Sequence, residues 1–321
     1  MGFRDPEFQG TTGPVTSLDA HFADTLGGQV RRKTMRHFSI FVMLLTCTGI
    51  AIAQPNVCTQ DTVVGTYALA SQGSVMLPLP GASQPAPVPV VGLALVSMDS
   101  KGAVTGSAYQ STGGQLIQFP MPGTMKINSD CTGSVDLGGG ITGNLVVLGE
   151  GREINSIMTA TAKGSPIISA RWKRISRIPN TVEPNQCSPN SLVGVYAIRQ
   201  TGTMMVTSPG SSQALPMPAA MQAMGSVGYD GNGPANGIAS VGGQTIPFSV
   251  PNTKFVVKSD CTATTVFDLA SQGVNMGPGG GWGIVLDGGN EVWSIETQDP
   301  TGAPVILGTW KRISPLPAAA Q

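Results

Sequence analysis

ARWKRIS, at residues 170–176, returns near the end of the chain as GTWKRIS, at residues 308–314. In an extended strand alternate side chains share one face, so Trp172 and Arg174 lie on the same side of the first copy. Each copy ends a longer block of sequence that is itself duplicated. The duplication predicts two tandem domains with the same fold.

The composition indicates the fold class. The chain has 321 residues, with abundant glycine (43) and proline (25), 11% charged residues and 5% aromatic residues. This mixture is poor in strong helix formers and predicts many short strands joined by turns. The formal net charge is zero, so nothing in the charge predicts a nucleic-acid partner.

The two blocks match along their length. Each begins at a cysteine, Cys58 or Cys187, and a Gly-x-Tyr-Ala motif follows in both. Each then carries Leu-Pro-x-Pro within an apolar region, 76–90 or 209–224. Proline has no N–H for a β-ladder, so these regions are predicted to be loops or edge segments. As exposed loops they are candidates to cover a barrel mouth, to contact a partner, or to pack one domain on the other.

Turn signals separate the apolar segments. An Asp- and Gly-containing turn follows an apolar run in both blocks, at 99–102 and 230–233, and such sequences supply the positive φ angles of tight hairpins. The segment 230–233 lacks the further ligands of a calcium loop. Glycine runs at 138–140 and 277–281 lack the lysine and helix of a phosphate loop and are interpreted as turns.

These signals predict an all-β protein with two tandem homologous domains after a signal peptide, each a small antiparallel β-barrel or sandwich. The predicted domains span 54–177 and 185–317, with a linker at 178–184. A closed barrel is favoured because it leaves no unpaired strand edge.

A signal peptide is predicted at 35–53. A basic segment that includes Arg36 precedes an apolar run from Phe38 to Ile52, and Ala51-Ile52-Ala53 provides a small-x-small cleavage site before Gln54. The run is shorter than the roughly 20 apolar residues of a membrane helix. The protein is therefore expected to be secreted or periplasmic, with no membrane span after cleavage; a retained N-terminal anchor is the alternative.

Residues 1–34 do not resemble part of a domain, and they are interpreted as an upstream extension that is either disordered or not native. Met35 begins a compact signal peptide and is a candidate for the true start in place of Met1. Cys47 follows Leu44-Leu45-Thr46, which is a poor lipobox because a small residue is expected just before the cysteine. Lipoprotein attachment through Cys47 is accordingly disfavoured.

Four cysteines follow the predicted cleavage site, two in each block: Cys58, Cys131, Cys187 and Cys261. Four cysteines allow three pairings, and the duplication favours one bridge inside each block, Cys58–Cys131 and Cys187–Cys261. Closing a loop of this size stabilises a domain by about 4 kcal/mol in the chain-entropy model. A zinc site is the weaker alternative, because neither CxxC spacing nor histidine accompanies these cysteines.

Short motifs resemble those of the calycins, the group that contains lipocalins and avidins. The motifs at 65–67 and 194–196 are similar to the Gly-x-Trp that opens a calycin barrel, with tyrosine in place of tryptophan. Trp172 with Arg174, and their second-copy equivalents, resemble the basic closing strand, and a cysteine before the first strand that pairs far downstream is similar to avidin. The biotin-binding residues of avidin are not recognisable. The resemblance implies a barrel and, by analogy, binding of a small ligand.

The sequence excludes several catalytic mechanisms. Both histidines, His21 and His37, precede the predicted cleavage site, so a Ser–His–Asp triad or a histidine-based zinc hydrolase is not expected. Paired cysteines would leave no thiol nucleophile. Glu153 and Glu291 occupy equivalent places in the two blocks, so duplication explains them without a catalytic pair.

Eight residues are candidates for a ligand site or a barrel rim. In the simplest interpretation each repeated tryptophan closes a core and each repeated arginine packs over an aromatic ring or carbonyls at the barrel end, with a ligand contact as the alternative. The glutamates either pair with those arginines or lie at solvated strand ends. Two further tryptophans have no aromatic equivalent in the first block and are either core residues or ligand contacts in the second domain. The eight are Trp172, Arg174, Trp310, Arg312, Glu153, Glu291, Trp282 and Trp293.

The leading hypothesis is an exported, non-catalytic protein, without cofactor or metal, that binds a small apolar ligand or a surface partner through its barrel ends. A structural or adhesive cell-envelope protein is the first alternative. A histidine-free enzyme that relies on carboxylates is the second, and it would require a concave site with carboxyl or lysine groups of shifted pKa.

Overall fold

The computed structural model describes residues 57–78, 84–161, 164–181, 187–207 and 214–316. The predicted signal peptide, the upstream extension, Cys47 and part of the predicted linker lie outside these residues. Within the described residues, no helix has both the length and the apolar character that crossing a bilayer requires.

Strands account for most of the described chain, and three short 3-10 helices lie between them. The first barrel contains β1 (Gly65–Leu77), β2 (Ala86–Met98), β3 (Ala103–Thr112), β4 (Gln115–Pro120), β5 (Gly123–Ile127), β6 (Thr132–Asp136), β7 (Thr142–Leu148), β8 (Glu153–Ala160) and β9 (Ser165–Ser176). The second contains β10 (Gly194–Thr207), β11 (Ala214–Val227), β12 (Asn232–Val241), β13 (Gln244–Val257), β14 (Thr262–Ser271), β15 (Val274–Leu286), β16 (Glu291–Gln298) and β17 (Ala303–Ser314). The 3-10 helices span Gln60–Val63, Pro189–Leu192 and Asp287–Gly289.

Both sheets close on themselves. In the second domain β10 to β17 form a closed antiparallel barrel in chain order. In the first, the sheet runs β2-β1-β9-β8-β7-β6-β5-β3 and closes through the β2–β3 pairing, while β4 pairs with the remaining length of β3. Since β4 and β5 together correspond to the single strand β13, each domain is an eight-stranded barrel. The predicted fold class is confirmed, as two barrels and not sandwiches.

The strand register repeats the sequence duplication. Gly65 pairs with Met98 in the first barrel, as Gly194 pairs with Val227 in the second. Each first strand also shows a register shift against the last strand at the same place, immediately before the motif tyrosine. The two domains therefore share the register of their first strand, including the position of a bulge.

The disulfides follow the pairing that the duplication favoured. Cys58 bonds to Cys131 and Cys187 to Cys261, with Cα–Cα distances of 4.9 and 5.1 Å. Each bridge ties the segment before the first strand to a turn at the same end of its barrel. The prediction of one bridge inside each copy is confirmed.

The proline-rich regions, predicted to be loops or edge segments, are edge segments of strands for much of their length. Residues 86–90 belong to β2 and 214–224 to β11. Pro216 and Pro218 pair with β10, whereas the pairing of β11 with β12 begins only at Ala219. The prolines therefore occupy the part of the strand that has one neighbour, where a missing N–H is tolerated.

The glycine run at 277–281 is not a turn. It lies inside β15, where Gly279 pairs with Phe267 and Gly281 with Thr265. The absence of side chains on this strand shapes the interior of the second barrel.

The barrels pack together through their outer faces. Apolar side chains of β1, β2 and β3 contact those of β15, β16 and β17, and the cluster includes Leu93, Ile284 and Ile295, each fully buried. Ser111 Oγ also donates a hydrogen bond to the Pro304 carbonyl, at 2.7 Å. The second barrel consequently has apolar residues on the outside of these strands as well as on the inside.

Candidate ligand cavity of the second barrel

One end of each barrel is closed by the 3-10 helix that precedes its first strand. Val63 of the first helix and Leu192 of the second are buried in the two cores. Arg174 Nε donates to the Tyr67 hydroxyl at 2.8 Å, and its Nη2 donates to the Thr62 carbonyl of the helix. The arginine thus fastens the helix to the last strand.

The second barrel repeats this arrangement. Arg312 Nε donates to the Tyr196 hydroxyl at 3.3 Å, and its Nη2 donates to the Ser191 carbonyl. Both guanidinium groups also lie over the tyrosine rings, with centroid distances of 5.4 Å in the first barrel and 5.7 Å in the second. Arg174 and Arg312 are therefore placed at the closed barrel ends, where they bind the protein's own groups.

The repeated tryptophans lie inside the barrels. Trp172 is fully buried and donates from Nε1 to Ser156 Oγ at 2.9 Å. Trp310 donates to Ser294 Oγ at 3.1 Å, but it is only partly buried. Phe255 packs edge-on against Trp310, with ring centroids 5.2 Å apart. The difference in burial arises because a cavity lies above Trp310.

This cavity occupies the interior of the second barrel and has a volume of about 850 Å³. Trp310 lies at its inner end, and it extends to the barrel end formed by the hairpin turns at Gly242, Gln272 and Thr301. Its wall is mainly apolar and includes Met204, Met221, Ala223, Ala239, Phe248 and Phe267. All eight strands contribute to it.

Two buried residues of the first core are replaced by glycine in the second barrel. Val96, opposite Tyr67, is buried in the first core, whereas its counterpart opposite Tyr196 is Gly225. Leu145 is likewise buried, two residues before Val147, whose N–H donates to the Cys131 carbonyl. Val285 donates in the same way to Cys261, and the residue two positions before it is Gly283. The second core therefore has less side-chain volume at these two positions.

Glycine also forms the inward face of β15. A Cβ atom on Gly279 would lie 2.2 Å from the Phe267 ring, which lines the cavity. A Cβ on Gly281 would lie 3.0 Å from Thr265 Cγ2. The flanking residue Trp282 points instead to the outside, against the first barrel. The side chains of Phe267 and Thr265 therefore lie against the backbone of these two glycines.

Three residues on adjacent strands form a polar row across this wall. Gly281 pairs with Thr265 on β14 and with Glu296 on β16. Glu296 is 8% exposed although it faces an apolar cavity. Thr265 Oγ1 is buried and has no hydrogen-bond partner. The row therefore places a carboxyl group and an unpaired hydroxyl on the two sides of a glycine.

The same row in the first barrel is apolar. Gly143 pairs there with Val135 and Met158, and both side chains are buried in the core. The fold accommodates valine and methionine at these positions, so the threonine and glutamate of the second copy are not a requirement of the barrel.

A second carboxyl group lies beside Glu296. Asp299, in the turn between β16 and β17, accepts hydrogen bonds from the backbone N–H of Thr301 at 2.7 Å and from its hydroxyl. Burial and the adjacent Asp299 carboxyl hold the pKa of Glu296 well above that of an ordinary glutamate. Among the described residues that line the cavity, Glu296 and Asp299 are the only ionisable ones.

The two predicted glutamates lie elsewhere and do not pair with the predicted arginines. Glu153 accepts a hydrogen bond from Arg171 at 2.9 Å on the surface. Glu291 binds Lys173 of the first barrel at 2.7 Å, and it accepts a hydrogen bond from Trp293 Nε1 at 2.8 Å. Neither glutamate faces a barrel interior.

Trp282 and Trp293 lie between the barrels. Trp282 packs against Tyr109 of the first barrel, with ring centroids 4.6 Å apart, and Trp293 lies under the guanidinium of Arg171 at 5.6 Å. Both are almost fully buried. They have no equivalents in the first copy because the two copies use different outer strands to meet each other.

An external groove of about 910 Å³ borders this interface. Its first-barrel wall includes exposed side chains of β7 and β8, among them Asn144, Asn155 and Ile157. The groove runs over the outside of the sheet, whereas the cavity is enclosed by a complete barrel. Among the described residues, no three histidine, cysteine, aspartate or glutamate side chains converge as a metal site requires.

The sequence analysis missed Glu296, Thr265 and Gly281. The signal lay in the comparison of the two copies: after Ile157 and Ile295, which match, the next pair is Met158 and Glu296. A change from an apolar to an acidic residue inside a matched strand is the one feature that distinguished this position.

The chain matches no protein-family model and no curated protein sequence. Among solved structures, a protein of unknown function from the DUF3598 family of Nostoc punctiforme is 12% identical, with 80% of this chain and 99% of that chain covered, at a TM-score of 0.23. A "putative outer membrane protein" of Bacteroides fragilis is 11% identical, with 79% and 99% covered, at a TM-score of 0.21. Similarity at this level supports no conclusion about the fold or the function of this chain.

Proposed function

We propose that the protein is an exported, non-catalytic binding protein that holds a small apolar ligand inside its second barrel. The cavity of about 850 Å³ in that barrel carries the proposal. Small-molecule sites commonly have volumes of about 300–1,000 Å³ and walls that are mainly apolar, with a few polar groups that fix orientation. The cavity of the second barrel has these properties.

The first barrel supports the assignment by contrast. Val96 and Leu145 are buried in its core at the positions where the second barrel has Gly225 and Gly283. A void costs stability because its lining atoms lose packing partners. Binding a ligand of complementary shape would recover those contacts. The calycin-like opening and closing strands support ligand binding by analogy.

Export is the second part of the proposal. Two disulfides bridge the described chain, and disulfides persist mainly in oxidising compartments. The signal peptide proposed at 35–53 would provide the route to the periplasm or the exterior. N-terminal sequencing of the protein from its native source tests this part: a chain that begins at Gln54 supports cleavage, and one that retains 35–53 contradicts it.

Fluorescence titration of the full chain with N-phenyl-1-naphthylamine, an uncharged apolar probe, tests the cavity. Ala239 lines the cavity, whereas its neighbour Ile238 points outward and is 56% exposed. Ala239→Phe is expected to fill the interior and weaken probe binding by at least about tenfold, or 1.4 kcal/mol.

Ile238→Phe is the matched control, because it adds an aromatic ring one residue away on the opposite face of the same strand. It is expected to leave the affinity unchanged. The proposal is contradicted if the wild type does not bind the probe, or if the two variants bind it equally well.

A further inference from the structure

We propose that the second barrel selects apolar ligands that carry a cationic amine, and that Glu296, Gly281 and Thr265 form the site for the ammonium group. This inference rests on the proposed function and names the class of ligand that the cavity takes. It is carried by the polar row on the inner wall.

The position of the row indicates recognition of a ligand group. Val135, Gly143 and Met158 show that the barrel folds with an apolar row at the equivalent place. Burying a carboxyl group without full hydrogen bonding costs free energy, as does leaving a hydroxyl unpaired. The second barrel buries the unpaired Thr265 hydroxyl, and it places the Glu296 carboxyl group against that of Asp299 beside an open space. A cationic donor group on a ligand would bind the hydroxyl and relieve the proximity of the two acids.

Gly281 places no side chain between Thr265 and Glu296. It lies between Thr265 and Glu296 in the register, and a Cβ atom there would lie 3.0 Å from Thr265 Cγ2. Neighbouring strands are about 4.8 Å apart, so Thr265 and Glu296 lie two strand spacings apart in the register. Both side chains line the cavity, and a ligand group with several donors can bind there to both.

The charge of the site favours a cation over an anion. Glu296 and Asp299 are the only ionisable groups among the described residues that line the cavity, and they come from β16 and from the turn that follows it. The facing strands contribute uncharged residues such as Gln200, Met204 and Ile306. A carboxylate ligand would add a third acidic group to an apolar space, whereas an ammonium group has three donors and no acceptor.

Amine binding is expected to be linked to a proton. The pKa of Glu296 is raised by burial and by Asp299, so in the free protein this group keeps its proton to higher pH than an ordinary glutamate does. An ammonium ion stabilises the ionised glutamate, and the proton leaves to solvent as the amine binds. Affinity for the amine should therefore rise with pH as Glu296 ionises, until the amine loses its own proton at about pH 10.

Three ligands of equal chain length separate the head groups: decylamine, decanol and decanoate. Each is used to displace N-phenyl-1-naphthylamine from the full chain at a pH where decylamine is protonated and decanoate ionised. The wild type is expected to bind decylamine most tightly and decanoate most weakly, with at least about a tenfold difference between them.

Two variants test the residues. Glu296→Gln keeps the size and removes the acid, and the double variant T265V/E296M gives the second barrel the row of the first. Both should bind the probe and decanol as the wild type does, and should lose at least about tenfold in affinity for decylamine. Glu153→Gln, which removes an exposed carboxyl group of the first barrel, is the control and should change nothing.

The outcomes separate this inference from the proposed function. Probe binding without a preference for decylamine, a preference for decanoate, or an unchanged decylamine affinity in Glu296→Gln would overturn the ammonium site and leave apolar ligand binding intact. Absence of probe binding in the wild type would overturn the proposed function. Thermal unfolding of each variant shows whether a loss of binding reflects a loss of fold.

Discussion

Lys173 Nζ lies 2.7 Å from Glu291 Oε2, so the last strand of the first barrel forms an ion pair with the second barrel. Asp287 Oδ2 lies 2.6 Å from the same ammonium. Glu153, which is the equivalent of Glu291 in the first copy, instead binds Arg171 at an exposed site. The equivalent glutamates therefore form different ion pairs. Glu291 belongs to a partly buried pair between the barrels, and Glu153 belongs to an exposed pair within the first barrel.

Replacing Glu291 by glutamine is expected to lower the free energy of unfolding by about 1–3 kcal/mol, because in a mostly buried place it removes the charged acceptor of Trp293 and one of the two carboxylates that bind Lys173, leaving only the more exposed Asp287. Glu153→Gln, the matched control, should cost less than about 1 kcal/mol, as exposed pairs do. Chemical denaturation of both variants measures the difference. Equal losses would show that the pair between the barrels contributes no more than the surface pair.

Glu291 also predicts a dependence on pH. Burial acts to raise its pKa, but hydrogen bonds from Lys173 and Trp293 outweigh burial and hold the pKa below that of an ordinary glutamate. A lowered folded-state pKa gives stability that is present above the unfolded pKa and is lost as the pH falls through the folded one. The difference in stability between wild type and Glu291→Gln should therefore shrink in acid. A difference that stays constant with pH would contradict this.

Glu296 predicts the opposite dependence. Its pKa is raised by burial and by Asp299, so its contribution to stability is present below the unfolded pKa and is lost as the pH rises through the folded one. Without ligand, Glu296→Met should be more stable than the wild type by on the order of 1–3 kcal/mol at mildly alkaline pH. In acid this gain should become smaller. Urea denaturation at several pH values measures it, and a destabilised variant at high pH would refute the assignment.

The closed barrel ends depend on the motif tyrosines. The Tyr67 hydroxyl donates to the Gly151 carbonyl at 2.7 Å and accepts from Arg174, and burial raises the pKa of this tyrosine in spite of the nearby arginine. Tyr67→Phe should cost about 1–3 kcal/mol, since it leaves a buried carbonyl and part of a guanidinium unpaired. Tyr229, which is 54% exposed, supplies the control variant Tyr229→Phe. A similar cost for both would contradict a structural role of the Tyr67 hydroxyl.

Several features of the fold could be predicted from the sequence because their signals are local or repeated. Paired Cys58 and Cys131, the turn residues and the strand composition each specify one domain, and the duplication supplies every signal a second time. The closed end was also foreseeable, because the Gly-x-Tyr and Trp-Lys-Arg segments form a single contact between Tyr67 and Arg174.

The candidate site could not be predicted, because it depends on which way each strand faces. Every residue of β16 from Glu291 to Glu296 is buried, since its outer side chains meet the first barrel and its inner ones face the cavity. A strand of this kind has no alternation that separates inside from outside. Trp293 and Glu296 therefore could not be assigned to the interface and the cavity before the barrels were seen together.

The wall of the cavity at β15 is supported from outside. Its inner surface is glycine, but its outer surface carries Trp282, Ile284 and Leu286, which are packed against the first barrel. The first barrel, whose core is filled, therefore packs against the outside of the strand whose inner face lacks side chains. Duplication thus lets one barrel cover the outer face of strands that form the cavity wall of the other.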